Sequence, residues 1–262
     1  MSRKSILGDK PVVVSMTSYG VRANLVFAAI ESIGFGVDRP RRLILWLDEE
    51  ELLVNTPVEL VRLQRRGLEV RRCANLGPHK KYFPYVTSCF AEPGALVTAD
   101  DDCFYTRRWL KGLYDAHSET PDSVIGYRVR KVVVDSDGQL RPYTEWGEVN
   151  TAEESFSHFS TGVSGVLYPK TVQQALADRG SQFLEVAPRA DDLWLHATAV
   201  SVGVRTRQVR DRSIDYLELP AAGRTSLYQE NVHGGANDRQ ARLVYTADLL
   251  KRIQGDSSLE RQ

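Results

Sequence analysis

The sequence predicts an α/β fold in which helices flank a mostly parallel central sheet. Three short apolar runs, at residues 11–16, 43–47 and 95–99, have the composition of strands buried on both faces. Segments with apolar residues at helical spacing alternate with these runs, which is typical of right-handed βαβ units. The chain has 262 residues, enough for one large domain or two small ones, and no linker divides it. We therefore predict a single domain.

The first half of the chain predicts a regular alternation of strands and helices. Apolar residues recur at helical spacing after Arg22, and this pattern ends at Gly34. The next helical pattern begins at Pro57 and ends at Gly67. The predicted strands lie at 11–16, 43–47, 68–72 and 95–99, and the predicted helices lie at 22–33, 57–66 and 84–90. Because ligands bind at the carboxyl ends of strands in such sheets, residues 17–19, Asp48 and 100–102 are candidate site positions.

The second half of the chain is less regular. A polar segment at 145–160 predicts a long loop, which is a candidate lid or acceptor-binding segment. The remaining predictions are one or two strands at 123–134, a turn at 135–138, a glycine-interrupted strand at 162–168, helices at 170–177 and 191–200, and an alternating apolar and polar stretch at 202–209.

Composition excludes several classes of protein. Lys and Arg total 34, as do Asp and Glu, so there is no surplus of positive charge of the kind that sequence-independent nucleic-acid binders need. The three cysteines form no CxxC pair, which argues against a zinc site and for a reducing compartment. The first ten residues are charged and contain no apolar stretch of the length expected for a secretory signal, and about 18 consecutive apolar residues occur nowhere in the sequence. We expect a cytoplasmic protein, or at most one peripheral to the inner face of a membrane.

Three consecutive aspartates, Asp100, Asp101 and Asp102, follow the predicted strand at 95–99. Adjacent carboxylates repel one another, so holding them together costs stability unless a cation or hydrogen-bond donors offset the charge. Mg²⁺ or Mn²⁺ takes oxygen ligands and keeps positions open for phosphate oxygens. The alternative is an acidic loop that caps the next helix. The buried strand before the triplet and the aromatic residues after it favour the metal site.

Several motifs occur in a specific order along the first 110 residues. They are SMTSYGVR after the first strand, then LILWLD, GLEVR, HKKY, and ADDDCFY with WL behind it. In this order they resemble bacterial GT-A nucleotide-sugar glycosyltransferases of the capsule and surface-polysaccharide type. The resemblance implies one Rossmann-like GT-A domain, with a nucleotide-binding half at about 1–105 and an acceptor-binding half at about 106–262.

The resemblance also implies how a sugar-nucleotide donor is bound. Asp100 and Asp102 match the outer positions of the DXD motif, so Asp100 would contact donor hydroxyls and Asp102 would be the main ligand of Mn²⁺ or Mg²⁺. His233, in a glycine-rich turn, would be a further metal ligand. The donor-binding positions are Thr17, Ser18, Tyr19, Arg22, Lys80, Lys81, Asp100, Asp101, Gly162 and Gly165. Ordinary explanations stay open for these residues: a capped turn after the first strand, a solvated lysine pair, and glycines required by packing.

Asp191 and Asp192 match the acidic pair that opens a helix in inverting members of the family. Asp192 is the favoured base for the acceptor hydroxyl, with Asp191 second; stabilisation of a helix dipole is the alternative. The implied activity is metal-dependent transfer of a sugar from a nucleoside diphosphate donor, with UDP-sugars favoured, to a hydroxyl of a saccharide or lipid-linked acceptor. The alternatives are a sugar-nucleotide nucleotidyltransferase, which makes the nucleotide sugar, and a non-catalytic carbohydrate-binding protein. The sequence leaves the oligomeric state open.

Overall fold

The computed structural model describes residues 4–89, 93–219 and 235–259, with side chains described as far as 256. The strands are β1 (Lys10–Thr17), β2 (Pro40–Leu47), β3 (Leu68–Arg72), β4 (Ala95–Thr98), β5 (Cys103–Phe104), β6 (Val124–Gly126), β7 (Val129–Lys131), β8 (Glu154–Ser155), β9 (His158–Ser160), β10 (Val166–Tyr168), β11 (Thr206–Gln208) and β12 (Leu217–Glu218). The helices are α1 (Val26–Gly34), α2 (Glu50–Val54), α3 (Val58–Gln64), α4 (Phe83–Ser88), α5 (Trp109–Glu119), α6 (Lys170–Arg179), α7 (Phe183–Val186), α8 (Asp191–Ser201), α9 (Ala236–Val244) and α10 (Ala247–Leu259). Short 3₁₀-helices cover Gly20–Asn24, Gly77–Lys81, Tyr143–Glu145 and Gly180–Gln182.

Eight strands form one central sheet in the order β3-β2-β1-β4-β10-β6-β11-β8. The first four are parallel, as predicted, and β6 is parallel to β11. Strand β10 lies antiparallel between β4 and β6, and β8 lies antiparallel at the edge. The prediction of an α/β fold with a central sheet in a single domain is confirmed, and the departures from parallel pairing belong to the second half of the chain.

Helices cover both faces of the sheet because its inner strands are apolar on both sides. Along β1, Val13 belongs to one buried cluster, whereas Val12 and Val14 belong to the other. The first cluster is built with side chains of α4, α6 and α8, and the second with side chains of α1, α3 and α5. The period of two along β1 thus divides its side chains between two hydrophobic layers.

The second half contains the largest differences from the predicted elements. The prediction of one long loop at 145–160 was wrong at its end, where β8 and β9 form and β9 pairs antiparallel with β7. Phe159, the centre of β9, is fully buried. Strands of two or three residues held by pairing with distant segments leave little periodic signal in the sequence. The predicted strand at 162–168 is shorter, since residues 162–165 form a turn closed by a 3.1 Å bond from the Gly165 N–H to the Gly162 carbonyl.

Two segments pack against other parts of the chain: the arginine-rich stretch around β11, and the helices α9 and α10. In the basic stretch around β11, Arg205 pairs with Asp256 at 3.1 Å and Arg207 pairs with Glu119 at 2.6 Å. At the C-terminal end, α9 and α10 pack on the first cluster through Val244 and Ile253. None of the helices in the described part of the chain has both the length and the apolar character needed to cross a bilayer.

Replacing Gly165 with alanine is expected to lower the free energy of unfolding by about 2–4 kcal/mol, because the substitution adds both strain and overpacking. Gly165 has a φ of 92°, and a Cβ atom there would lie 2.7 Å from Cζ2 of the buried Trp109. Urea denaturation measures the loss. Gly138→Ala is the matched control, since Gly138 has a φ of 75° and a Cβ atom there would meet nothing within 4 Å. Equal losses in the two variants would show that the indole does not constrain position 165.

Candidate functional site

A cleft of about 900 Å³ lies at the carboxyl ends of β1, β2 and β4. The three strands are parallel, so the residues that follow them meet at one edge of the sheet. Nine of the predicted site residues or strand-end positions line the cleft: Thr17, Tyr19, Arg22, Asp48, Lys80, Lys81, Asp100, Asp101 and Asp102. The strand-end rule therefore located this cleft from the sequence.

The middle aspartate of the triplet is fixed by the turn after β1. The Ser18 hydroxyl donates a 2.6 Å hydrogen bond to Oδ2 of Asp101, and Nε of Arg22 donates to the same oxygen at 3.1 Å. Asp101 and Ser18 are both buried. These bonds offset the charge of the middle carboxylate and join the β1 turn to the β4 turn. Asp101 lines the cleft, whereas Ser18 lies behind it and does not.

The outer aspartates face the cleft and have one cationic partner each. Asp100 pairs with Lys81, and Oδ2 of Asp102 accepts from Nη2 of Arg22 at 2.8 Å. Burial raises the pKa of Asp102, and the neighbouring charge of Asp100 raises the pKa further. A divalent cation at this point would relieve that repulsion.

The donor atoms of Asp100, Asp102 and Cys103 lie within 4.8 Å of one another, which is close enough for a common metal ion. The two carboxylates suit Mn²⁺ or Mg²⁺, which prefer oxygen ligands. Cys103 suits them less well, because burial raises the pKa of its thiol far above neutrality and a protonated thiol is a poor ligand. Asp100 and Asp102 thus fit the predicted metal, whereas His233 lies outside the described residues.

Lys81 brings the strand-end carboxylates and the acidic pair of α8 into one cluster. Its side chain is 16% exposed and pairs with Asp100, and its Nζ lies 3.9 Å from Oδ2 of Asp191. Burial alone would lower the pKa of Lys81, but Asp100, Asp191 and Asp192 together hold that pKa well above its usual range. Lys81 is therefore a permanent cation between two groups of acids that are distant in the sequence.

Asp192 is a carboxyl group with a strongly raised pKa. Burial is the main cause that raises its pKa to about 7, and the charge of Asp191 adds to the rise. The Gly162 backbone N–H donates a hydrogen bond to Asp192, and a Cβ atom at position 162 would lie 2.8 Å from Oδ1 of Asp192. Glycine at position 162 thus lets the turn before β10 approach the carboxylate.

The other predicted donor-binding residues differ in their accessibility. Tyr19 is 38% exposed, and its ring lies 5.5 Å from the Arg22 guanidinium. The Thr17 hydroxyl donates to the Trp46 carbonyl at 2.9 Å. Lys80 is buried and paired with Asp48, so it is not the solvated lysine that its sequence context also allowed. Gly165 packs against the Trp109 indole and does not line the cleft.

One wall of the cleft was not predicted from the sequence. It is formed by residues 75–78 and by Leu184, Pro188 and Arg189, which precede α8. These residues carry no motif, and they reach the cleft only because the chain before α8 packs against the turn that bears the lysines. The approach of the two segments is a long-range contact, for which the sequence has no local signal.

Comparisons with known proteins show a likeness of fold without a likeness of sequence. No family model matches the chain, and no curated protein matches it by sequence. S. aureus TarS 1–349 in complex with UDP-GlcNAc is 16% identical with a TM-score of 0.52, over 79% of this chain and 58% of that one. Mannosyltransferase PcManGT from Pyrobaculum calidifontis, in complex with GDP-Man and Mn²⁺, is 15% identical with a TM-score of 0.51, over 77% of this chain and 56% of that one.

A third solved structure is matched along its whole length. The 4-diphosphocytidyl-2C-methyl-D-erythritol synthase from Anaerococcus prevotii is 10% identical with a TM-score of 0.51, over 93% of this chain and 100% of that one. The matches to TarS 1–349 span about 60% of that chain's length. These likenesses cover 77% to 93% of this chain. The chain therefore has the GT-A fold, which it shares with transferases that were solved with sugar nucleotides bound.

Proposed function

We propose that the protein is a metal-dependent glycosyltransferase, which moves a sugar from a nucleoside diphosphate donor to a hydroxyl of a saccharide or lipid-linked acceptor and inverts the anomeric configuration. UDP-sugars are the favoured donors. The observation that carries the proposal is the position of Lys81 between Asp100, at the end of β4, and the pair Asp191 and Asp192, at the start of α8. The proposal is supported because carboxylates that suit a divalent metal are linked through Lys81 to a carboxyl group with a raised pKa.

The donor would lie in the half of the domain formed by about residues 1–105. Asp100 and Asp102 would hold Mn²⁺ or Mg²⁺, which when bound supplies positive charge to the departing diphosphate. Arg22 and Lys81 would exchange their carboxylate partners for phosphate oxygens, because both are cations that face the cleft. Tyr19 offers an exposed ring to the nucleotide at the end of β1. In a site with little water, such cations stabilise developing charge most strongly.

The acceptor would approach from the half formed by about residues 106–262. Asp192 would take the proton from the acceptor hydroxyl as that oxygen attacks the anomeric carbon on the face opposite the diphosphate. Because the reaction would be a single displacement assisted by one base, the configuration at the anomeric carbon would be inverted. Asp191 would keep the pKa of Asp192 near neutrality through repulsion, and the Gly162 N–H would hold the carboxylate in place. We further propose a cytoplasmic location, where sugar nucleotides are made.

A nucleotidyltransferase is the second candidate, favoured by the likeness to the A. prevotii synthase along its whole length. Such an enzyme would bind a nucleoside triphosphate and a sugar phosphate. Nucleotidyl transfer does not require a base beside the donor, because the phosphate oxygen of the sugar phosphate is already an adequate nucleophile. The raised pKa of Asp192 therefore supports sugar transfer over nucleotidyl transfer.

A thermal-shift screen tests the proposal. We expect one nucleoside diphosphate sugar among the UDP, GDP, CDP and dTDP series to raise the melting temperature by about 5 °C or more at saturating concentration, and only with Mn²⁺ or Mg²⁺ present. Each donor with EDTA is the control. A larger shift with a nucleoside triphosphate plus a sugar phosphate would favour the nucleotidyltransferase, and no shift with any of these ligands would refute both candidates.

The rate of transfer should rise with pH, with a midpoint of about 7, since Asp192 acts only when deprotonated and its pKa is about 7. Below that pH the carboxyl carries a proton and cannot accept another. Asp191→Asn removes the neighbouring charge that helps to raise this pKa, so its midpoint should move to lower pH. The dependence of kcat on pH in the two proteins measures the change. A midpoint that does not move would mean that another group limits the rate.

A further inference from the structure

His79 lies in the short 3₁₀-helix Gly77–Lys81, two residues before Lys81, and is fully buried. Its Nε2 lies 2.7 Å from the carbonyl oxygen of Ala187, and its Nδ1 lies 2.8 Å from the hydroxyl of Tyr82. The ring stacks on Phe183 of α7, with centroids 4.0 Å apart and an angle of 15° between the planes. Both nitrogens of the imidazole and one of its faces thus have a defined neighbour.

The two hydrogen bonds fix the tautomer of His79. A carbonyl oxygen can only accept, so Nε2 carries the proton and donates to Ala187. Nδ1 must then accept the hydrogen bond that the Tyr82 hydroxyl donates. Burial lowers the pKa of His79, which keeps the ring neutral. His79 therefore donates a hydrogen bond from the 3₁₀-helix Gly77–Lys81, here called the lysine turn, to the backbone that leads into α8.

The lysine turn and the segment before α8 are also in close contact next to this hydrogen bond. A Cβ atom at Gly77, which has a φ of 57°, would lie 3.4 Å from the Pro188 carbonyl oxygen. The Ala187 carbonyl also accepts a 3.3 Å bond from the Ala190 N–H, which forms the turn immediately before Asp191. His79 consequently bonds to the turn that sets the start of α8, on which the acidic pair lies.

We propose that His79 is a positioning residue that holds Lys81 at a fixed distance from the acids at the start of α8, and that it does so without touching the donor or the acceptor. The inference rests on the proposed function. A 3₁₀-helix of five residues has little stability of its own, so its position depends on contacts such as this one. Displacement of a catalytic group by about 1 Å costs on the order of a hundred-fold in rate.

Two substitutions test the role of the directed bond. His79→Leu removes it and keeps an apolar side chain in the buried space, so we expect kcat to fall by about ten- to a hundred-fold. The donor KM should rise as well, because the displaced Lys81 is a proposed ligand of the donor phosphates. His79→Gln places an amide N–H where it can donate to the Ala187 carbonyl, and we expect it to recover most of kcat.

His196→Leu is the matched control. His196 is also buried and bonded at both nitrogens, to the Tyr245 hydroxyl at 2.6 Å and to the Phe156 carbonyl at 3.1 Å, but it has no link to the lysine turn. We expect a loss of thermal stability similar to that of His79→Leu, with kcat close to that of the wild type. Equal losses of kcat in the two leucine variants, or no recovery in His79→Gln, would overturn the inference.

Crystal structures of the wild type and of His79→Leu separate this inference from the proposed function. An inactive wild type would refute the glycosyltransferase, but the link between the turn and α8 can still be measured. We expect the Lys81 Nζ to Asp191 Oδ2 distance, 3.9 Å in the wild type, to increase in His79→Leu. The same distance in both crystals would overturn the positioning role, whatever the reaction is.

Discussion

Replacing Asp102 with asparagine is expected to lower kcat for release of the nucleoside diphosphate by about a thousand-fold, which corresponds to about 4 kcal/mol of lost transition-state stabilisation. Asparagine keeps the size of the side chain and an oxygen that can accept from Arg22, but it removes the charge that a divalent cation requires. Burial is the main cause of the raised pKa of Asp102, and the repulsion from Asp100 that adds to it would disappear with that charge. Steady-state assays over a range of Mn²⁺ concentrations measure the loss.

The control for this variant is Cys103→Ser, a nearly isosteric change at the next residue. The Cys103 sulfur belongs to the same group of potential ligand atoms, but its thiol stays protonated. We expect turnover and Mn²⁺ dependence close to those of the wild type. Unchanged turnover in Asp102→Asn would contradict the metal site, and a loss in Cys103→Ser equal to that of Asp102→Asn would identify the thiol as a ligand.

Replacing Asp192 with asparagine is expected to reduce kcat by about a hundred- to ten-thousand-fold, the usual contribution of a general base. Donor affinity should stay close to that of the wild type, because Asp192 acts on the acceptor proton and does not bind the diphosphate. The variant should also be at least as stable as the wild type, since a half-buried carboxylate beside Asp191 is unfavourable at neutral pH. Kinetics and calorimetric titration of the donor separate the two effects.

Asp248→Asn is the matched control for the helix-dipole explanation of Asp192. Asp248 also lies in the first turn of a helix, but it is exposed and does not line the cleft. An acid in the first turn contributes about 0.3–1 kcal/mol to stability, so this change should cost a little stability and no activity. If Asp192→Asn showed only that same small loss, the acid pair would serve the helix and the proposed base would be wrong.

The sequence predicted those parts of the fold that depend on short-range periodicity. The strands β1, β2, β3 and β4 are long apolar runs or are bounded by clear turn residues, and their carboxyl ends located the cleft. The pairing of β8 and β9 escaped prediction because each has at most three residues and is stabilised by partners far along the chain. The antiparallel direction of β10 likewise depends on how the chain returns to the sheet.

For the site, the sequence identified residue types but not their partners. The triplet of aspartates looks uniform in the sequence, yet in the structure Asp101 is buried and bonded to Ser18 and Arg22, whereas Asp100 and Asp102 are only partly buried. Lys80 and Lys81 look equivalent as well, but one is buried against Asp48 and the other contacts Asp100. Such differences arise from tertiary contacts, which adjacent residues in a sequence do not reveal.

The direction of β10 has a consequence for how such an enzyme can diversify. Because β10 runs against β4, with Val166 opposite Thr98 and Tyr168 opposite Leu96, the start of β10 lies nearer to the aspartates than its end does. Insertions ahead of Val166 would therefore lie closer to the aspartates than insertions after Tyr168. Under the proposed function, engineering of acceptor preference would change the segment before Val166. Gly162 would be kept, because its backbone N–H donates to Asp192.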